Sequence, residues 1–217
     1  MMASRKKRMA LVAGAMALFV GAGIFLLTSA RTKAEGGGHD GPSRADLQQI
    51  ITHGVETANN TISPLRSSAS VQRSTKMVIA VVARDGKLLK VYAMPDAWVG
   101  SIDIAIAKAR TAAFFSSNEN ALTSRIIGVL SQAHNPDGTG GAGPLWGIGN
   151  SNQVGITGSG EFRNGIITFP GGVPLYKGNV LIGGVGVSGD GVDQDEHVAF
   201  GAAAGFEPGA GVVKLGF

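Results

Sequence analysis

Of the 34 glycines in this 217-residue chain, 24 fall in the 90 residues from Gly128 to Phe217. Glycine is poor in helix interiors and freely adopts the backbone angles of tight turns. The second half is therefore expected to form short strands and sharp turns rather than long helices. Apolar islands stand between the glycines: Ile166–Phe169, Val173–Tyr176 and Val180–Ile182 read as strands, and Lys177-Gly178-Asn179 as a hairpin loop. The stretch from His134 to Gly165 carries no regular pattern, and connections of that length are often functional. Asp193-Gln-Asp-Glu196 opens a last helix ending near Gly205, and residues 207–217 form a glycine-rich tail.

The first half has other signals. Arg5 to Arg8 is a basic block followed by the uncharged 22-residue run Met9–Ala30. Basic, apolar and then small residues, in that order, mark a secretory signal, and the run is also long enough for an uncleaved anchor. Thr28-Ser29-Ala30 and Thr32-Lys33-Ala34 both suit cleavage. Six of the 19 basic residues precede Glu35 and no acid does. The charge placement keeps the N-terminus in the cytoplasm and exports the rest to the periplasmic or extracellular side. From Glu35 onward thirteen basic residues face fifteen acidic ones, a net charge of −2, although the whole chain stands at +4. A nucleic-acid partner is not expected from such a body, and the membrane is met only through residues 1–34. With no cysteine, disulfides, thiolate metal sites and a cysteine nucleophile are excluded.

Residues 35–42, with Gly36-Gly37-Gly38, read as a linker. Ser43 can cap a helix carrying Leu47, Ile50, Ile51, Val55 and Ala58 at helical spacing and ending at Asn59-Asn60. Met77–Val82 and Leu88–Ala93 form a hairpin about Asp85-Gly86. A second helix, Ser101 to about Phe115, is apolar over most of its circumference, so burial against the sheet or another subunit is expected. A third is expected from Glu119 to Leu130. Strands joined by hairpins and flanked by helices give an α+β domain with an antiparallel sheet of about five strands, behind the apolar N-terminal segment.

Three segments in this order resemble one family. They are Ser101–Ala113, Phe169-Pro-Gly-Gly-Val-Pro174, and Ile182-Gly-Gly-Val-Gly-Val-Ser-Gly189 with Asp193-Gln-Asp-Glu196 soon after. Together they resemble the GlcG/HbpS family of haem-binding proteins, related to the C-terminal domain of PduO-type cobalamin adenosyltransferases. The resemblance covers about residues 43–206. It implies a profilin- or PAS-like layout, a tendency to form homo-oligomers, and non-covalent binding of haem or a related tetrapyrrole as cofactor or cargo.

Gly184-Val-Gly-Val-Ser-Gly189 also fits the dinucleotide fingerprint, but the 28 residues after it are too few for a nucleotide domain. Close backbone packing is its expected role. Pro170-Gly171-Gly172-Val173-Pro174 is either a rigid turn or a turn that brings bare amides to a ligand. Haem propionates would pair with cations, which points to Lys108 and Arg110 on the second helix, with Asp103 and Thr111 as its other polar residues. Iron needs a donor such as histidine. His53 lies about 130° from the apolar face of the first helix and should be exposed, suited to a ligand held at the surface or between subunits. His134 opens the long loop and is the second metal candidate. His39 falls in the linker, and His197, Tyr92 and Tyr176 are weaker candidates. Acids at residues 193–196 suit a helix start and also a hard cation. No nucleophile elbow or metalloprotease motif occurs, so no catalytic residue is assigned. Binding, sequestration or sensing of haem in the cell envelope is the leading expectation. The alternatives are an enzyme or accessory subunit acting on a small organic acid or alcohol, and a ligand-free oligomeric scaffold.

Overall fold

A computed structural model describes residues 41–133, 145–146, 148 and 165–217. The expected leader, the expected linker to residue 40, His39, His134 and most of the long loop lie outside those residues. Helix α1 (Arg44–Asn60) starts as its sequence requires. The Ser43 hydroxyl accepts from the Asp46 amide, and the Asp46 carboxylate accepts from the Ser43 amide at 2.7 Å. Strands β1 (Val78–Ala83) and β2 (Leu88–Ala93) form the expected hairpin, and α2 (Ser101–Phe115) follows. After β3 (Asn120–Leu122) and α3 (Ser124–Leu130) come β4 (Gly172–Lys177), β5 (Val180–Ser188), α4 (Val192–Ala202) and β6 (Val213–Leu215).

The main sheet has four antiparallel strands in the order β2-β1-β5-β4, and β3 pairs with β6 in a separate parallel pair. Alternation along β1 divides the core into two layers. Ile79 and Val81 join Ile50 of α1 and Val198 and Ala202 of α4, whereas Val78, Ala80 and Val82 meet Ala105, Ala109 and Ala113 of α2. Helices thus cover both faces, with α1 and α4 on one and α2 on the other.

The glycine run of β5 explains how α2 lies so flat. A Cβ at Gly186 would stand 2.0 Å from the Ala105 carbonyl oxygen, and one at Gly184 would stand 2.4 Å from that of Ala109. The fingerprint-like motif is therefore a seat for a helix, as its poor context indicated.

Three expectations need correction. The helix expected from Glu119 begins only at Ser124. Ser116 and Ser117 hydroxyls take the amides of Leu122, Glu119 and Asn120, and Thr123 supplies the cap. Ile166–Phe169 is not a strand: the Thr111 hydroxyl accepts from the Ile167 amide at 3.0 Å and donates to its carbonyl at 2.7 Å, in place of a sheet neighbour. The tail contributes β6, so the strands are divided four and two rather than forming one sheet of about five.

Candidate functional site

At the sheet end where β5 finishes, the starts of α2 and α4 and four connections enclose a cleft of about 390 Å³. Neither helix has a side-chain cap, since Gly100 and Gly191 hold the capping positions. Lys108 and Asp195 lie at its floor. Lys108 Nζ donates to Asp195 Oδ2 at 2.7 Å and to the Val187 carbonyl at 3.0 Å, and the Asp190 amide donates to Asp195 Oδ1 at 3.0 Å. Both side chains are almost wholly buried. Burial pushes the Lys108 ammonium below its usual range and the Asp195 carboxyl above its own, each partly opposed by the other's charge. The Ser101 hydroxyl, on the same wall and one heptad before Lys108, is buried with no hydrogen-bond partner among the described residues.

On the opposite wall Asp190 accepts a hydrogen bond from Ser63 and lies 3.8 Å from Arg66 Nε. The rim is apolar and open: Leu65, Trp98, Phe169 and Val192 are 72%, 61%, 47% and 45% exposed. Arg66 also lines an adjoining groove of about 340 Å³, shared with Arg73, Ser74, Lys76 and Asp96.

Only part of the expected residue set converges here. Lys108 lines the cleft, but an internal carboxylate already holds it. Arg110 is buried elsewhere along α2, donating from Nε to the Gly86 carbonyl at 3.0 Å in the β1–β2 turn. Thr111 fastens residue 167, and Asp103 is exposed. Lys108 and Arg110 therefore do not form one pair of cations for a dianion. The Pro170–Pro174 turn does meet the Ser101 helix. Gly171, at φ +112°, lies so close that a Cβ would be 3.1 Å from Lys108 Nζ, and one at Gly172 would be 2.3 Å from the Lys108 carbonyl oxygen. The Gly172 amide is taken by the Ser124 hydroxyl at 2.8 Å, Val173 is core, and Pro174 pairs with Gly184. The turn is thus a packed support behind the floor, with Phe169 reaching the rim.

His53 is half-buried rather than exposed, and its Nδ1 is buried with no hydrogen-bond partner among the described residues. It sits on α1, across the sheet from α2, and is not among the residues lining the cleft. The acids of residues 193–196 divide: Asp195 holds Lys108, while Asp193 and Glu196 grip Arg125 at 2.6 and 2.7 Å. Among the described residues no group of three or more acids or histidines is placed to hold a metal ion.

Sequence reasoning missed Ser101, Arg66, Asp190 and the apolar rim as parts of a site. One signal was present: a lysine inside an otherwise apolar helix needs a buried counter-charge, and the acids after residue 192 supply it.

A family model described as haem-degrading protein HbpS-like matches residues 54–204. An uncharacterized 15.0 kDa protein from the dhaT-dhaS intergenic region of Citrobacter freundii is 29% identical over 152 residues, 70% of this chain and 90% of the relative. The corrinoid adenosyltransferase PduO of Salmonella typhimurium is 27% identical over 76% of this chain, which spans only 38% of PduO. Among solved structures, a PduOC–haem complex is similar at 28% identity and a TM-score of 0.51, covering 76% of this chain and 94% of the other. The Klebsiella pneumoniae protein ORFY is similar at 26% identity and a TM-score of 0.53, covering 79% and 94%. HbpS, at 19% identity and a TM-score of 0.52, shares the fold. With its match running from the middle of α1 to just past the end of α4, the chain belongs to the HbpS-like family.

Proposed function

We propose that this protein binds haem or a related tetrapyrrole non-covalently in the cleft, serving haem binding, sequestration or sensing in the cell envelope. The observation that carries this reading is the open apolar rim: four large hydrophobic side chains stand partly in water around one concavity. Clustered exposed apolar surface marks a binding site, and a planar, largely apolar macrocycle suits it. The solved haem complex of the similar PduOC domain supports the choice of ligand.

The wall fits the ring better than the iron. Among the described lining residues none is His, Met, Tyr or Cys, the usual haem donors. The donor therefore comes from beyond the wall, and His53 and His134 are the candidates. His53 has an unsatisfied ring nitrogen in its favour, and because it does not line the cleft, placing it over the bound ring calls for a second copy of the chain. Bound haem would supply an iron centre, and His53 or His134 would be the residue that holds it. Export, as a cleaved or membrane-anchored protein, rests on the leader, and homo-oligomer formation on the same requirement for a second copy.

Titrating the full-length, detergent-solubilised protein with ferric haem is expected to give a saturable Soret change, and a linear, unsaturable change refutes the reading. His53→Ala and His134→Ala separate the donors: an altered Soret maximum in one identifies it, and unchanged spectra in both overturn the donor assignment while leaving haem binding intact. Thermal stabilisation by small hydroxy acids but not by haem would favour a metabolite-handling role instead. Mass spectrometry of the native protein from the envelope fraction reads whether residues 1–34 are retained.

A further inference from the structure

We infer that the groove bordered by Arg66, Arg73 and Lys76 is the subsite for the carboxylate arms of the planar ligand whose ring occupies the cleft. This inference rests on the haem reading. It starts from charge. Inside the cleft two cations face two acids, and each cation is already engaged: Lys108 by Asp195 at 2.7 Å and Arg66 near Asp190 at 3.8 Å. A dianionic ligand gains little net attraction there, and burying its carboxylates over Asp190 and Asp195 would cost energy. The anionic edge of the ligand must therefore leave the cleft toward unspent positive charge.

The adjoining groove offers that charge and is reached through Arg66, which lines both concavities. It adds Arg73 and Lys76 against a single acid, Asp96. Neither Arg73 nor Lys76 is in an ion pair among the described residues. Their backbone is held in place. The Arg73 carbonyl accepts from the Ser63 amide at 2.8 Å, the Arg73 amide donates to Ser67 Oγ at 3.0 Å, and Ile62 bridges to Ser74. The Thr75 hydroxyl donates to the Ala58 carbonyl at the end of α1 at 2.9 Å. Two cations on a fixed loop at the lip of a cleft with an apolar rim match the layout of a flat ring with two carboxylates on one edge. Arginine adds a bidentate fork suited to a carboxylate.

The test compares ferric haem with its dimethyl ester, in which both carboxylates are masked, on the full-length protein and on R73A/K76A. The wild type is expected to bind haem about tenfold more tightly than the ester, from two exposed charge pairs, with the gap shrinking in high salt. In R73A/K76A the haem affinity falls toward that of the ester, whose own affinity is unchanged. A haem-to-ester ratio that survives R73A/K76A, or equal binding of both by the wild type, overturns the groove assignment and leaves the haem reading standing. Failure of the wild type to bind either ligand overturns both. R73E alone, at an exposed side chain, gives the same readout should the double variant fold poorly.

Discussion

Replacing Lys108 by methionine keeps most of the aliphatic stem but strands the Asp195 carboxylate, whose side chain is 4% exposed. Breaking a buried ion pair from one side costs about 3–5 kcal/mol. Asp195 retains the Asp190 amide at 3.0 Å, so the lower end, about 3 kcal/mol, is expected. For a chain of this size that lowers Tm by about 6–12 °C. Replacing both partners, as in K108M/D195L, removes the stranded charge and should recover much of the loss. The effect must also depend on pH. Burial already holds the Asp195 carboxyl above 3.8 and Lys108 opposes this, so K108M raises that pKa further. The folded variant then keeps a proton that the unfolded chain has released, and its stability falls as pH rises from 3.8 through the folded value. Urea denaturation at acid and neutral pH reads this directly, with the deficit small in acid and full at neutrality. A loss below about 1 kcal/mol at neutral pH, or a double variant no better than K108M, would refute the reasoning.

Gly186→Ala should be among the most damaging methyl additions, since its Cβ would stand 2.0 Å from the Ala105 carbonyl oxygen and 2.5 Å from the Ala109 amide nitrogen. Moving α2 aside costs at least the 1–3 kcal/mol of ordinary overpacking, and an unchanged urea midpoint would contradict the close contact. Tyr176→Phe removes the phenol that donates to the Ser117 carbonyl at 2.7 Å, with the Asn120 carbonyl at 3.1 Å, for about 1–2 kcal/mol. Burial pushes this phenol up to about 12. The native state therefore keeps its proton where the unfolded chain loses it, and stability falls as pH climbs from 10.0 toward 12. The variant should lack that part of the alkaline decline, and identical alkaline profiles would count against it.

Much of the fold was legible because its signals are local. Ser43 and Asp46 sit at capping-box spacing, Asp85-Gly86 lies between two apolar runs, and the alanine-rich stretch from Ser101 has no polar face to leave in water. The corrections arise where a distant group overrides local preference. Residues 119–123 have helical propensity, but serine hydroxyls and the Tyr176 phenol claim their backbone groups. Val213–Leu215 becomes a strand only because Asn120–Leu122 lies beside it. The site was less legible for the same reason. Lys108 and Asp195 are 87 residues apart, and Ser63, Arg66 and Asp190 meet only after β5 has crossed the sheet. Sequence spacing revealed the polar residues of α2 but not which way each one faces.

The contact between α2 and the glycines of β5 also limits how this scaffold can diversify. Because main chain touches main chain there, the helix carrying Ser101 and Lys108 cannot slide against the strand that ends at Ser188 without a steric penalty along its length. Variation in what descendants of this architecture capture must come from the connections at residues 64–66, 96–100, 167–171 and 189–191, which can be exchanged while the chassis beneath them stays as it is.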